Sequence, residues 1–334
     1  MKFSIRDLLL VTVIVALAVG WCVDHRHVTE TNRKLTEAHA NLTEDNKRYQ
    51  LELALNSANN LYPRYLAPGE QPSIPPKISR RADRILLEDL DLALLRLTLE
   101  GGVSDSPALF FSETEITNRM YAQFLADTQR MRDDSAIVKA DEELSAEGFS
   151  STGSPSIHVD DPASLWKDGL CPKGRKEHPV SFLSIPQAAD FCDWLSHRYE
   201  LGGKFRLPTE REWLFAAYGQ SRKFPWGDEE REYTGKSTEQ VKARPDLKTP
   251  DGLFGMWGNV SELVLSDSNG YGGDVEDKYS PSNTQWLGES YKTEEIRGKA
   301  TLPRQDYWGY THSLESRSDT WGFRIVFVPT QNSP

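Results

Sequence analysis

Few residues in this chain are suited to chemistry, and their spacing limits what they can do. The 334 residues include three cysteines, Cys22, Cys171 and Cys192, too few for a disulfide scaffold. Cys22 lies in an apolar N-terminal run, which leaves Cys171 and Cys192 as the only internal pair, one that an oxidising compartment would allow to bridge. Cys192 also shares a helical face with Ala188, Phe191 and Leu195, and that pattern reads as a buried small hydrophobe. No cysteine follows Cys192, so the C-terminal third carries no thiol. His158 with Asp160 and Asp161 has the residue types of a metal site, but it sits in a long polar stretch and reads as a solvated loop. His25 and His27 have no further ligands nearby and read as solvated. Glu210 and Glu212 invite an acid–base reading. Residues two apart on a helix do not face each other, and Thr209 with Glu212 has capping-box spacing, so helix capping is the expectation.

The elements that would position these side chains begin with an apolar run from Leu8 to Val23, preceded by Lys2 and Arg6 and closed by Asp24, His25 and Arg26. Its length is close to the ~17–25 residues that span a bilayer. Ala16-Leu17-Ala18 keeps a cleaved signal peptide open as the rival. Trp21 and the apolar residues beyond that tripeptide favour a signal-anchor at 1–24, with the basic N-terminus cytoplasmic and the rest extracytoplasmic. Residues 25–60 are polar and helix-prone, with Val28, Leu35, Leu42 and Tyr49 at heptad spacing. The second seam is Asn32, His39, Asn46 and Leu53, so the stalk supports at most a weak coiled-coil dimer. Prolines 63, 68, 72, 75 and 76 mark a stiff linker over 61–84. A globular domain follows over 85–328, with a tail at 329–334. The net charge of −11 argues against a nucleic-acid surface.

Within that domain Leu95, Leu97 and Leu99 alternate with Arg96 and Thr98, then Gly101-Gly102 and Ala108–Phe111 follow, predicting two strands joined by a turn. Thr117 opens a helix with an apolar face formed by Met120 or Tyr121 together with Phe124 and Leu125. Asp127–Lys176 reads as a long polar loop. Ser184 and Gln187 cap a second helix with Pro186 in its first turn. Arg206-Leu207-Pro208-Thr209-Glu210-Arg211-Glu212-Trp213 caps a third, ended by Gly219. Gly252-Leu253-Phe254-Gly255-Met256-Trp257-Gly258-Asn259-Val260-Ser261-Glu262 comes next. The segment from Arg317 through Trp321-Gly322-Phe323-Arg324 to Val326 reads as one alternating final strand.

In this order the segments resemble the formylglycine-generating enzyme, or sulfatase-modifying factor, family. The resemblance covers roughly residues 85–328. It implies an α+β, irregular C-type-lectin-like fold, which does not by itself carry a function. The family's oxidases convert a substrate cysteine to formylglycine with a copper-binding cysteine pair after a Gly-Gly-Ser turn. The matching stretch here is Ile296-Arg297-Gly298-Lys299-Ala300, and no cysteine follows it. Cu(I) prefers soft thiolates, so copper is not expected. The resemblance also implies calcium at the backbone oxygens of Gly258 and Val260 and the carboxylate of Glu262. The family's further acidic or amide ligand falls at Gly255, which has no side chain, and Ser261 and Leu263 replace two motif tryptophans. Iron-dependent sulfoxide synthases share the fold but resemble one another in a histidine-rich preceding domain, which residues 27–84 do not form.

The expected function is therefore a membrane-anchored, non-catalytic binding or scaffold module. The alternative is an active oxidase of the family, or a divergent chemistry on the same fold. Arg304, Tyr307, Trp308, Tyr310 and His312 are the candidate lining of a groove for an extracytoplasmic peptide, glycan or small molecule, or else ordinary packing.

Overall fold

Alternation of apolar residues around short turns builds the main sheet. The computed structural model describes residues 33–34, 75–97, 109–146, 156–231, 235–266, 284–292 and 315–330. The chain divides into two units, Met1–Leu53 and Ala54–Pro334, and the fold below is that of the second. The anchor, the stalk apart from helical Arg33 and Lys34, and the linker up to residue 74 lie outside the described residues. Among the described residues no helix is long and apolar enough to cross a membrane.

Strands β1 (Ile78–Arg80), β2 (Arg84–Leu87), β3 (Leu92–Leu97) and β4 (Leu109–Ser112) form an antiparallel run. The sheet thus begins at Ile78, inside the segment read as linker. The pairing of β3 with β4, Leu95 opposite Phe111, is the hairpin that the alternation predicts. Ile85, Leu87, Leu94 and Phe111 are fully buried.

Helix α1 (Asn118–Asp127) starts at Thr117, whose hydroxyl accepts from the Met120 amide at 3.3 Å. Helix α2 (Ser135–Ala146), the short strand β5 (Ile157–His158) and a 3₁₀ turn at Pro162–Ser164 occupy the stretch read as a polar loop. That reading is corrected. Buried anchors absent from any periodic pattern organise the segment: Arg132 pairs with Asp134 at 2.9 Å, both buried, and Trp166 packs against Tyr121. Helix α3 (Ile185–Arg198) is capped as expected, the Ser184 amide donating to Gln187 Oε1 at 3.1 Å. Its Phe191 stacks on Tyr121 at 5.8 Å and meets Phe124 edge-on at 5.6 Å. Phe191 is fully buried, so truncation to alanine would cost about 3–5 kcal/mol.

Strand β6 (Gly203–Arg206) leads into helix α4 (Glu210–Tyr218), and β7 (Ser261–Leu265) pairs antiparallel with β8 (Thr284–Leu287). The C-terminal segment is not one strand. It splits into β9 (Arg317–Ser318), β10 (Trp321–Gly322) and β11 (Val326–Pro329), each in a different sheet. Strand β9 pairs parallel with β5, β10 parallel with β7, and β11 sits between β4 and β6. Two local contacts break it. Asp319 turns to accept backbone N–H groups from Asp160 and Asp161. Gly322 lies so close to Val260 that a Cβ there would stand 2.7 Å from Val260 Cγ2. The sheet orders are β1-β2-β3-β4-β11-β6, β10-β7-β8 and β5-β9, a mixed α and β architecture as expected.

Candidate functional site

The glycines of the segment 252–262 let it turn tightly over a buried charge cluster. Gly255, Gly258 and Asn259 all have positive φ, at 68°, 80° and 64°. Glycine meets that demand freely and asparagine tolerates it. The turn delivers Glu262, at the start of β7, into the interior with no exposure. Arg324 meets it as a two-pronged partner, Nε to Oε2 at 2.5 Å and Nη2 to Oε1 at 2.6 Å. The Trp213 indole N–H from α4 donates to the same Oε2 at 2.6 Å. Arg324 also donates to the Phe254 carbonyl at 2.7 Å and the Ser112 carbonyl at 3.2 Å, so one guanidinium ties the turn to β4 and to its own segment.

A second fully buried carboxylate, Glu115, lies under the turn. Its Oε1 accepts from Asn259 Nδ2 at 3.0 Å, and its Oε2 has no hydrogen-bond partner. Burial pushes its carboxyl up to about 7; Arg324 opposes this and Glu262 reinforces it. A Cβ at Gly255 would fall 2.2 Å from Glu115 Oε1. The position at which the resemblance calls for an acidic side chain is therefore occupied by a carboxylate from another segment. Two carboxylates against one guanidinium leave one excess negative charge in a low-dielectric interior, which is costly unless a proton or a cation joins it. Beside the turn, Phe254, Gly255, Trp257 and Asn259 help line a cavity of about 20 Å³, room for one water-sized particle. Of the side-chain oxygens in this cluster, both of Glu262 are held by Arg324 and Trp213, and Glu115 Oε2 is the one without a hydrogen-bond partner.

The capping reading of Glu212 holds. Its Oε2 accepts from the Thr209 amide at 2.8 Å, and Arg206 grips its two oxygens at 2.7 and 2.6 Å. Cys192 is fully buried and Cys171 is half-buried, and neither is in a disulfide. Burial raises the Cys171 thiol above its ordinary range. Arg304, Tyr307, Trp308, Tyr310, His312 and the Gly298-Lys299-Ala300 stretch lie outside the described residues.

A second region was not legible as a site. The pairing of β5 with β9 and of β10 with β7 leaves between them a cavity of about 560 Å³, lined by His158, Asp160, Ser290, Lys292, Thr320 and Trp321, among others. That volume falls within the ~300–1,000 Å³ of small-molecule sites. His158 and Asp160, read as loop residues, are exposed as expected, yet they share this wall. Lys292 forms an ion pair with Asp160. Behind it, Asp319 is fully buried and its Oδ2 accepts from the Asp160 and Asp161 amides at 2.9 and 2.5 Å and from the Tyr291 hydroxyl at 3.3 Å. Burial raises the Asp319 carboxyl above the usual range. The sequence signal that could have found this wall was the cluster His158-Val159-Asp160-Asp161 together with Ser318-Asp319-Thr320-Trp321, but nothing local says that the two segments pair.

A family model described as the sulfatase-modifying factor enzyme 1-like domain matches residues 103–328. The formylglycine-generating enzyme of Mus musculus is 32% identical over 127 residues, covering 32% of this chain and 32% of that protein. The inactive C-alpha-formylglycine-generating enzyme 2 of Mus musculus is 25% identical over 196 residues, covering 52% of this chain and 58% of its own length. The matches thus span about a third of the first of these relatives and somewhat over half of the second. Among solved structures, Treponema denticola variable protein 1 aligns with a TM-score of 0.42 at 17% identity, covering 76% of this chain and 99% of that one.

Proposed function

The chain belongs to the sulfatase-modifying factor family, and from that premise we propose that it is a membrane-anchored binding module without the family's oxidase chemistry. One observation carries the reading: no cysteine follows Cys192, whereas the resemblance calls for a thiol pair beyond Gly298-Lys299-Ala300. Cu(I) has no comparable soft donor to take there. Cys192 is packed in the core and Cys171 is on a different segment. A relative whose name marks it as inactive gives the reading a precedent. The anchor at 1–24 would hold the domain outside the membrane, with a stalk-mediated dimer as a further part of the proposal. The domain then offers its ligand either the cavity beside Trp321 or the groove expected at Arg304, Tyr307, Trp308, Tyr310 and His312.

Calcium belongs to the same proposal as a structural ion. Glu115 and Glu262, with the backbone oxygens of Gly258 and Val260, would hold it. When bound, it supplies positive charge to the buried carboxylates and no bond chemistry. Arg324 keeps Glu262 oriented, and the Gly255 backbone leaves room for the Glu115 carboxylate.

Cu(I) titration of the full chain, with a cysteine-containing peptide and oxygen as substrate, tests the reading. The expected result is no stoichiometric tight copper site and no mass change in the peptide. Tight one-to-one Cu(I) binding, or conversion of the peptide cysteine, would overturn it in favour of an active oxidase.

A further inference from the structure

Resting on the binding-module reading, we propose that the cavity between the β5-β9 and β10-β7-β8 sheets binds a neutral saccharide, with Trp321 as the platform for its apolar face. Trp321 is half-buried and lines the cavity. It stacks on Trp286 at 4.4 Å and 18°, and Trp286 is itself packed against the main core. An indole backed in this way has little freedom to rotate, so the cavity has a preorganised aromatic wall. Rigid aromatic surface of this kind gives contact area at small entropic cost.

Apart from Ile157 and Val159, the rest of the lining is polar. Asp160 and Lys292 pair directly, so they place a strong acceptor beside a strong donor while their charges cancel. A charged ligand gains little net attraction from them. Adjacent hydroxyls suit the pair, because each hydroxyl donates once and accepts as well. Thr320 adds a hydroxyl, backed at 2.8 Å by that of the buried Ser318, and either can be the donor. The chemistry that fits one fixed aromatic face ringed by paired donors and acceptors is a pyranose: C–H groups on one face, hydroxyls at the edge. Asp319 supports the wall from behind, since its carboxylate holds the backbone at Asp160.

The test uses the full chain in a sugar-free zwitterionic detergent. Its probes are glucose, galactose, mannose, N-acetylglucosamine and their linked trimers, with acidic and basic hexapeptides as the contrasting arm. Saturation-transfer NMR reads which ligand protons approach the protein. The expected result is saturable binding of at least one saccharide, with the C–H protons of a single ring face most strongly saturated. Trp321→Ala is expected to weaken that binding about tenfold or more, as removal of a central aromatic anchor does. Lys292→Gln and Asp160→Asn should weaken it too while the melting temperature stays unchanged. If Trp321→Ala does not fold, these two exposed-pair variants and Trp321→Phe carry the test. No saturable binding of any saccharide in the panel overturns the proposal. So does binding that Trp321→Phe, Lys292→Gln and Asp160→Asn all leave unchanged. Binding of a hexapeptide in place of every saccharide also overturns it but leaves the binding-module reading standing, which the copper titration judges separately.

Discussion

The cluster under the Gly252–Glu262 turn and the cavity beside Trp321 treat charge in opposite ways. Under the turn, Glu262, Glu115 and Arg324 have no exposure at all, and Arg324 donates to Glu262, Phe254 and Ser112 at once. At the cavity, the Lys292 and Asp160 side chains are 50% and 32% exposed and are paired with each other. The buried set is locked to the fold by every bond it makes. The surface set keeps its remaining donors and acceptors for water or a ligand. The two meet in β10: Trp321 lines the cavity, and Gly322 pairs opposite Glu262. The difference teaches where mutation should harm stability and where it should touch only binding.

The largest effect is expected from breaking the buried pair. Replacing one partner of a buried ion pair leaves an uncompensated charge and costs about 3–5 kcal/mol. Arg324→Met is expected at that level, measured by equilibrium denaturation, because it also strands two backbone carbonyls. Adding Glu262→Leu to Arg324→Met should recover part of the loss, since the two sites are directly coupled. A loss under 1 kcal/mol for Arg324→Met would remove the contrast between the regions.

Glu115 gives the next largest effect, through pH. Burial raises its carboxyl from 4.5 to about 7 in the native state. Between those values the native protein holds the proton while the unfolded chain has lost it. Stability contributed by this group is therefore full below about 4.5 and falls as pH rises through about 7. The ceiling is about 3 kcal/mol. In the presence of a chelator, Glu115→Gln should flatten this part of the stability profile. An unchanged slope would show that Glu115 is not the group that titrates.

Calcium should act on the same cluster and leave the cavity untouched. If the ion joins Glu115 and Glu262, calcium at a hundred times its dissociation constant stabilises by about 2.7 kcal/mol. Chelation should reverse the gain, and Glu115→Gln should abolish it. A calcium-induced rise in melting temperature that survives Glu115→Gln would place the ion elsewhere.

The sequence reveals these two regions unequally, for a physical reason. Local signals carried far: the Thr209–Glu212 cap, the Ser184–Gln187 cap and the buried face of Cys192 each depend on residues within a few positions. Membership of the family also followed from motif order. Glu115 was missed because its partner Asn259 is 144 positions away, and no periodicity reports on a long-range polar contact. The cavity was missed because strands of two residues, such as β5, β9 and β10, are too short to show alternation. Their pairing is parallel, so no hairpin turn announces it. The polar stretch after Asp127 hid helix α2 because its anchors, Arg132, Asp134 and Trp166, are scattered through the sequence and two of them are charged.

The smallest expected effect is the most discriminating. Lys292 and Asp160 form an exposed pair, and exposed pairs contribute about 0–1 kcal/mol. Lys292→Gln should therefore change stability by no more than a few tenths of a kcal/mol. Asp160→Asn should do the same, because the bond that anchors the segment comes from the Asp160 backbone N–H to Asp319, and the substitution leaves it in place. The contrasting control is Asp319→Ala, which removes the acceptor of two backbone amides and should destabilise by more than either, since stranding a buried donor costs about 1–3 kcal/mol. Thermal melts of the three variants separate the wall from its support. If Lys292→Gln proved as damaging as Asp319→Ala, the cavity would be part of the folding scaffold, and the division between a locked interior and a free polar surface would fail.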